Sequence, residues 1–259
     1  MARLASPTLS LRRYGAVQES DVHDFHQIVL GVDGSMTMTV DGADERIDCR
    51  SAWLIPAGSR HEYAGLGDNS QLVLDLPLGS LAVPERLFER AKTMSIDPGL
   101  TTLVGELASR VAPEPRVDVA SVRRFHWQAA ARLCGALVGA LVGELGGASP
   151  RPAAGLDFAR IDRWLRAHLA EPLRIADLAA HCGFGMRRFH QLFCDAFGET
   201  PHRYLQRLRL DAAVVLLGDP KRSLTDIAGE VGFADQSAFT HAFTKRFGLA
   251  PGQWRGDRH

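Results

Sequence analysis

The chain has 259 residues, enough for two domains or one large one, and its 46% hydrophobic and 23% charged residues are ordinary for a globular protein. Thirty Lys and Arg balance thirty Asp and Glu, which argues against a uniformly basic nucleic-acid coat. The balance is uneven along the chain: residues 156–259 carry 15 Lys and Arg against 12 Asp and Glu, with six His besides, and residues 1–155 carry 15 against 18.

The opening stretch, MARLASPTLSLRRYG, lacks the apolar core of a signal peptide. The longest apolar run, Leu133 to Gly143, is shorter than the roughly 20 residues of a membrane span. No membrane association is therefore expected. Cys49, Cys134, Cys182 and Cys194 form no C-x-x-C pair, which points to reduced thiols in a cytoplasmic protein.

Residues 11–80 read as short strands. SMTMTV alternates, and Asp41-Gly42 is a tight-turn signal between strand-like runs. AWLIPAG and QLVLDLP are apolar runs broken by Pro56, Gly58 and Pro77. The spacing predicts an antiparallel sandwich or barrel over 1–83. Residues 84–145 change period. Pro84 suits a first helical turn, which predicts a helix over PERLFERAKTM. Leu100, Leu103, Val104, Leu107 and Val111 recur at helical spacing. A longer helix then carries Leu133, Leu137, Leu141 and Leu145 on one stripe, with Gly135, Gly139 and Gly143 beside it. That stripe suits either packing on the barrel or a homodimer interface. Residues 146–155, GGASPRPAAG, read as a linker.

From Leu156 onward the chain says one thing twice. Ile175, Asp177, Leu178 and Ala179 match Leu224, Asp226, Ile227 and Ala228 at an offset of 49, as do Cys182-Gly183-Phe184 and Val231-Gly232-Phe233. Phe189, Phe193, Phe197, Gly198, Pro201 and Tyr204 match Phe239, Phe243, Phe247, Gly248, Pro251 and Trp254 at an offset of 50. Each copy is a short helix, a glycine that can supply positive φ, and a second helix with an aromatic inner face. That is the helix-turn-helix pattern, expected at 173–198 and 223–248. A linking helix over 201–217, capped by Thr200 with Pro201 at its first position, would join them.

Residues 156–255 resemble the DNA-binding domain of the AraC/XylS transcription regulators, from FARIDRWLRAHLAEPLRIADLAAHCGF to LTDIAGEVGFADQSAFTHAFTKRFGLAPGQWR. The resemblance implies base-edge contacts from Arg187, His190 and Gln191 in the first unit and from Gln236, Ser237 and His241 in the second. Arg188, Lys245 and Arg246 are then expected on phosphates. Gly185 departs from the family, which usually has a capping residue there. The implied partners are double-stranded promoter DNA, a small-molecule effector, RNA polymerase and a second copy of the chain, in the bacterial nucleoid.

In the front region, Gly15, Asp21, His23, Gln27 and Gly34, followed by Pro56, Gly58 and His61, resemble the cupin signature. Asp21 and Gln27 replace a usual His and Glu. Two readings follow: a pocket for an effector lined by Asp21, His23, Gln27, Trp53, His61 and Tyr63, or a divalent metal on Asp21, His23 and His61 with His26 nearby. The expected whole is an α+β multidomain chain. It has a cupin-like sensor barrel, a helical region at 84–145, and an all-α double helix-turn-helix domain at 156–259. The leading function is a non-enzymatic, effector-controlled transcription regulator. The alternatives are a metal-dependent cupin enzyme fused to a DNA-binding module, a metal-sensing regulator, and a helical interaction protein that never touches DNA.

Overall fold

The structure, a computed structural model, describes residues 4–40, 42–111, 118–145 and 156–256. Two units are distinguished: Met1–Ser80 with Arg86–Leu141, and Leu81–Glu85 with Val142–His259.

The first unit is built on a seven-stranded antiparallel sheet: β1 (Thr8–Arg12), β2 (Glu19–Asp21), β3 (His26–Val40), β4 (Ala43–Ile47), β5 (Ser51–Ile55), β6 (His61–Leu76) and β7 (Lys92–Ser95). The order is β1-β6-β3-β5-β7, with β2 added on β6 and β4 on β3. Strands β3 and β6 form the spine and serve two half-sheets. Gln27 to Leu30 pair with both β5 and β6, while Met36 to Val40 pair with both β4 and β6. Between them the register shifts twice, around Asp33. Two glycines permit close passage beside this bend. A Cβ on Gly31 would stand 1.9 Å from the Asp48 carbonyl oxygen, and one on Gly65 2.0 Å from that of Tyr14.

Period-two alternation then fills one face with core. Val29, Val73, Trp53 and Ile55 of one half-sheet cluster with Met36, Met38, Val40 and Ile47 of the other. The opposite face of the spine, Ile28, Leu30, Leu72 and Leu74, is also buried. Helix α1 (Pro98–Val111) packs against β1 and β3 and buries Leu100, Val104 and Leu107. In α2 (Val119–Leu145) Leu133 and Leu137 are buried within the fold, so this part of the expected stripe is already covered. The side chains at 141–145, including Leu141 and Leu145, lie outside the described residues. So do the expected linker at 146–155 and Asp41 of the expected tight turn.

The helix expected from Pro84 is not formed. Residues Glu85–Phe88 make a single 3-10 turn that buries Leu87 and Phe88, and Lys92–Ser95 is a strand. The main chain of β7 pairs with β5, Ser95 opposite Ser51 and Lys92 opposite Leu54. Pairing at a sheet edge overrides a weak local helical preference. The sheet therefore extends past the expected boundary at residue 83.

The second unit is helical: α3 (Phe158–Ala167), α4 (Ile175–His181), α5 (Met186–Phe197), α6 (Pro201–Leu216), α7 (Leu224–Glu230), α8 (Gln236–Phe247) and α9 (Pro251–Arg255). Phe189, Phe193, Phe197 and Tyr204 form the heart of the first half with Leu178 and Ile161. Phe239, Phe243, Phe247 and Trp254 are the buried aromatics of the second. The α6 helix has 16 residues, so it spans about 24 Å. Its N-cap is Thr200, whose hydroxyl accepts from the Arg203 amide, with Pro201 in the first turn.

The segment 81–85 completes this unit. The Ala82 amide donates to Asp211 Oδ2 on α6 at 2.7 Å, and the Arg207 guanidinium donates to the Leu81 carbonyl. Tyr204 gives its one hydroxyl hydrogen to Asp162 Oδ1 at 2.5 Å, with the Ala82 carbonyl 3.3 Å away.

Candidate nucleic-acid interface

Both turns are built alike. At the end of α4 the Gly183 amide donates to Ala180 and the Phe184 amide to Ala179, respectively the five-to-two and six-to-one bonds of a Schellman turn. At the end of α7 Gly232 and Phe233 donate in the same way to Gly229 and Ala228. The glycines sit at φ +76° and +79°, which side chains resist. Sequence places the one-residue slip after Phe184 and Phe233, and the structure shows its use. One residue, Gly185, separates Phe184 from α5, and two, Ala234 and Asp235, separate Phe233 from α8. Asp235 caps α8 by accepting from the Ala238 amide, whereas Gly185 offers α5 no side-chain cap.

With the phenylalanines inside, the opposite faces meet solvent. Arg187, Arg188, His190 and Gln191 on α5 are exposed, as are Gln236, Ser237, His241 and Lys245 on α8. Two neighbours orient these groups. His190 Nδ1 lies 3.7 Å from Cys194 Sγ, and Thr225 Oγ1 on α7 donates to Gln236 Oε1 at 2.8 Å.

Arg246 is a correction. Expected on a phosphate, it is turned inward, donating to the Arg207 carbonyl at 2.8 Å and to Asp211 Oδ1 at 2.5 Å. Burial pulls its pKa down, although Asp211 opposes that. Its helix position explains the turn, since it lies next to Phe247 and three residues after Phe243, on the inner face.

In the sheet unit, the candidate pocket residues divide. The Gln27 amide donates to Asp75 Oδ1 at 2.8 Å, and Arg12 holds Asp75 Oδ2 at 2.6 Å. His23 stacks on Phe25 and lies 5.0 Å, ring to ring, from His61. Among the described residues, His23 Nε2 is buried without a hydrogen-bond partner, as is Trp53 Nε1. Burial lowers the His61 pKa, with the charges of His23 and Arg12 acting the same way and Asp21 opposing. Tyr14, edge-on to Tyr63 at 5.0 Å, is pushed up to about 12 by burial. Tyr63 also lines a groove of about 490 Å³ with Thr37, Thr39, Asp44 and Glu62.

The expected metal set is not assembled. His26 stacks on Phe88 at 4.0 Å, and its Nδ1 accepts from the Ala57 amide. Asp21 is exposed on an edge strand and accepts from the neighbouring Val22 amide. Among the described residues no group of three His, Cys, Asp or Glu side chains could hold a metal ion. Strand parity accounts for His26 alone, which falls on the opposite face of β3 from Gln27.

Known proteins place the helical half. A helix-turn-helix domain family matches residues 178–257. The probable transcriptional regulator LumQ of Photobacterium leiognathi is 24% identical over 233 residues, 90% of each chain. The transcriptional activator NphR of a Rhodococcus species is 28% identical over 250 residues, 94% of this chain and 73% of that one. The virulence regulon transcriptional activator VirF of Yersinia enterocolitica is 32% identical over 96 residues, 37% of this chain and 35% of that one.

The chain is a DNA-binding transcription regulator whose residues 178–257 form an AraC-type helix-turn-helix domain.

In this regulator the two recognition helices correspond at an offset of 50, so Met186 occupies the first helical position that Gln236 holds in the second unit. The sequence alone drew no attention to Met186, although the repeat offset aligns it with Gln236. Nor did it draw attention to Thr225, whose contact with Gln236 spans a turn. No described helix of the regulator is long and apolar enough to cross a membrane.

Proposed function

We propose that the regulator reads an asymmetric double-stranded operator. Arg187, His190 and Gln191 meet base edges in one half and Gln236, Ser237 and His241 in the other, while Arg188 and Lys245 hold phosphates. The supporting observation is the pairing of one aromatic scaffold with two different exposed polar faces. Footprinting on the promoter of its own gene tests this. Loss of protection in Arg187→Ala and Gln236→Ala, with helicity retained, is the expected result, and unchanged protection would reject those assignments.

The sheet unit serves as the sensor for a small effector rather than as a catalytic centre. The buried, unpartnered nitrogens of His23 and Trp53 support that reading, because such groups in a native fold ask for a partner. RNA polymerase contact and a homodimer complete the proposal, in the cytoplasm. A thermal-shift screen of small metabolites, repeated on His23→Ala with His61→Ala, tests the sensor. Shifts that survive both substitutions would move the pocket elsewhere.

A further inference from the structure

At the entrance of each recognition helix the two units hold equivalent residues of opposite chemistry. In the second unit Thr225, the second residue of α7, donates to Gln236, the first residue of α8, at 2.8 Å. The matching positions in the first unit are Ala176, second in α4, and Met186, first in α5. Alanine has no hydroxyl and methionine no amide, so the clamp is absent from the first unit. Met186 is also unlike the other apolar residues of its helix. It is 47% exposed, whereas Phe189, Phe193 and Phe197 are 0%, 0% and 3%. It serves no core. It stands where the N-terminal residues of a recognition helix approach base edges in the major groove.

The base edges supply matching chemistry. Thymine alone presents an apolar group there, its C5 methyl, while guanine N7 and O6 and thymine O4 are acceptors. Thr225 takes one lone pair of Gln236 Oε1, and both amide hydrogens of Gln236 remain to donate.

We propose that positions 186 and 236 are the specificity-determining pair of the two units. Met186 packs on the C5 methyl of a thymine, and Gln236 donates its amide hydrogens to an acceptor edge, with Thr225 as its positioning residue. The proposal rests on α5 and α8 being the DNA-reading helices.

The test is selection from random double-stranded DNA with the full chain. Wild type is compared with Met186→Ala, Met186→Gln with Ala176→Thr, and Thr225→Val. In Met186→Ala, preference for one thymine pair in the first half-site should fall about tenfold, the order of one mismatch, with every other position kept. The double variant should transplant the preference of the Gln236 position onto that pair. Thr225→Val should relax only the pair read by Gln236. A purely structural role would instead weaken all positions together, and that outcome overturns the proposal, as does an unchanged motif in the Met186 variants. A wild type that enriches no motif overturns the DNA-reading assignment itself, which is a separate and recognisable result.

Discussion

Arg246 on the second recognition helix holds Asp211 on the linking helix at 2.5 Å. The other oxygen of the same carboxylate takes the Ala82 amide at 2.7 Å. One buried aspartate thus ties α8 and the segment 81–85 to α6.

Arg246→Ala leaves a buried carboxylate without its cation, which typically costs about 3 to 5 kcal/mol. Urea denaturation should show that loss. The salt dependence of DNA binding should not change, since the Arg246 guanidinium is turned inward onto Asp211 and the Arg207 carbonyl. Arg188→Ala and Lys245→Ala should do the reverse, holding stability and lowering the slope of log K against log salt by about 0.9 each. A reduced slope in Arg246→Ala would return that residue to the interface.

The two turn glycines should differ. Both have positive φ, so alanine at either costs about 1 to 2 kcal/mol of backbone strain. Around Gly183 a Cβ meets nothing within 4 Å, but at Gly232 it would stand 2.0 Å from the Leu169 carbonyl oxygen. Gly183→Ala should fold with a lowered Tm, while Gly232→Ala should lose far more or fail to fold. Equal losses would contradict the close approach at Gly232.

Gln27→Glu probes the sheet interior. The Gln27 amide donates to Asp75 at 2.8 Å, so the variant sets two carboxylates together with only Arg12 to share. The new group's folded pKa is raised by its like-charged neighbour. Its stability contribution is present below the ordinary glutamate value of about 4.3 and lost as pH rises through the folded value. Thermal melts should show the variant close to wild type near pH 4 and clearly weaker at pH 7. A variant equally stable at both would mean that the carboxylates part.

His61 sets a slope of the opposite sense. Its folded pKa is lowered below the ordinary histidine value of about 6.5 by burial. The stability this represents is full above that value and is lost as pH falls through the lowered one. His126 carries the same sign, also from burial, so the measured quantity is the difference between wild type and His61→Gln. The wild type should lose more stability than the variant between pH 7 and 5. Parallel curves would show that His61 stays accessible to protons.

The helical half was legible because its information is local and repeated. Gly183-Phe184 and Gly232-Phe233 specify the turns, and phenylalanines four residues apart specify which helix face is inside. Even Arg246 could have been placed, since the repeat aligns it with Ala196, a buried residue. The sheet half was less legible. That Gln27 would be committed to Asp75, and Asp75 to Arg12, depends on partners 48 and 63 residues apart. His26 looked like a ligand in the sequence, yet strand parity sends it to Phe88. At Pro84 a genuine helix-start signal produced one turn, because the edge of β5 offered the following residues a better set of hydrogen bonds.

Residues 81–85 bear on how this chain can be taken apart. They are written between two stretches of the sheet unit, yet it is the helical unit that they finish. Asp211, Tyr204 and Arg207 meet Ala82 N, Ala82 O and Leu81 O, main-chain atoms of which a substitution can remove only the Ala82 amide hydrogen, with proline. A fragment starting at residue 156 is therefore a domain with a missing plug, its aspartate and arginine open to water. Adding back a short peptide of that segment, rather than exchanging any side chain, is the way to close it.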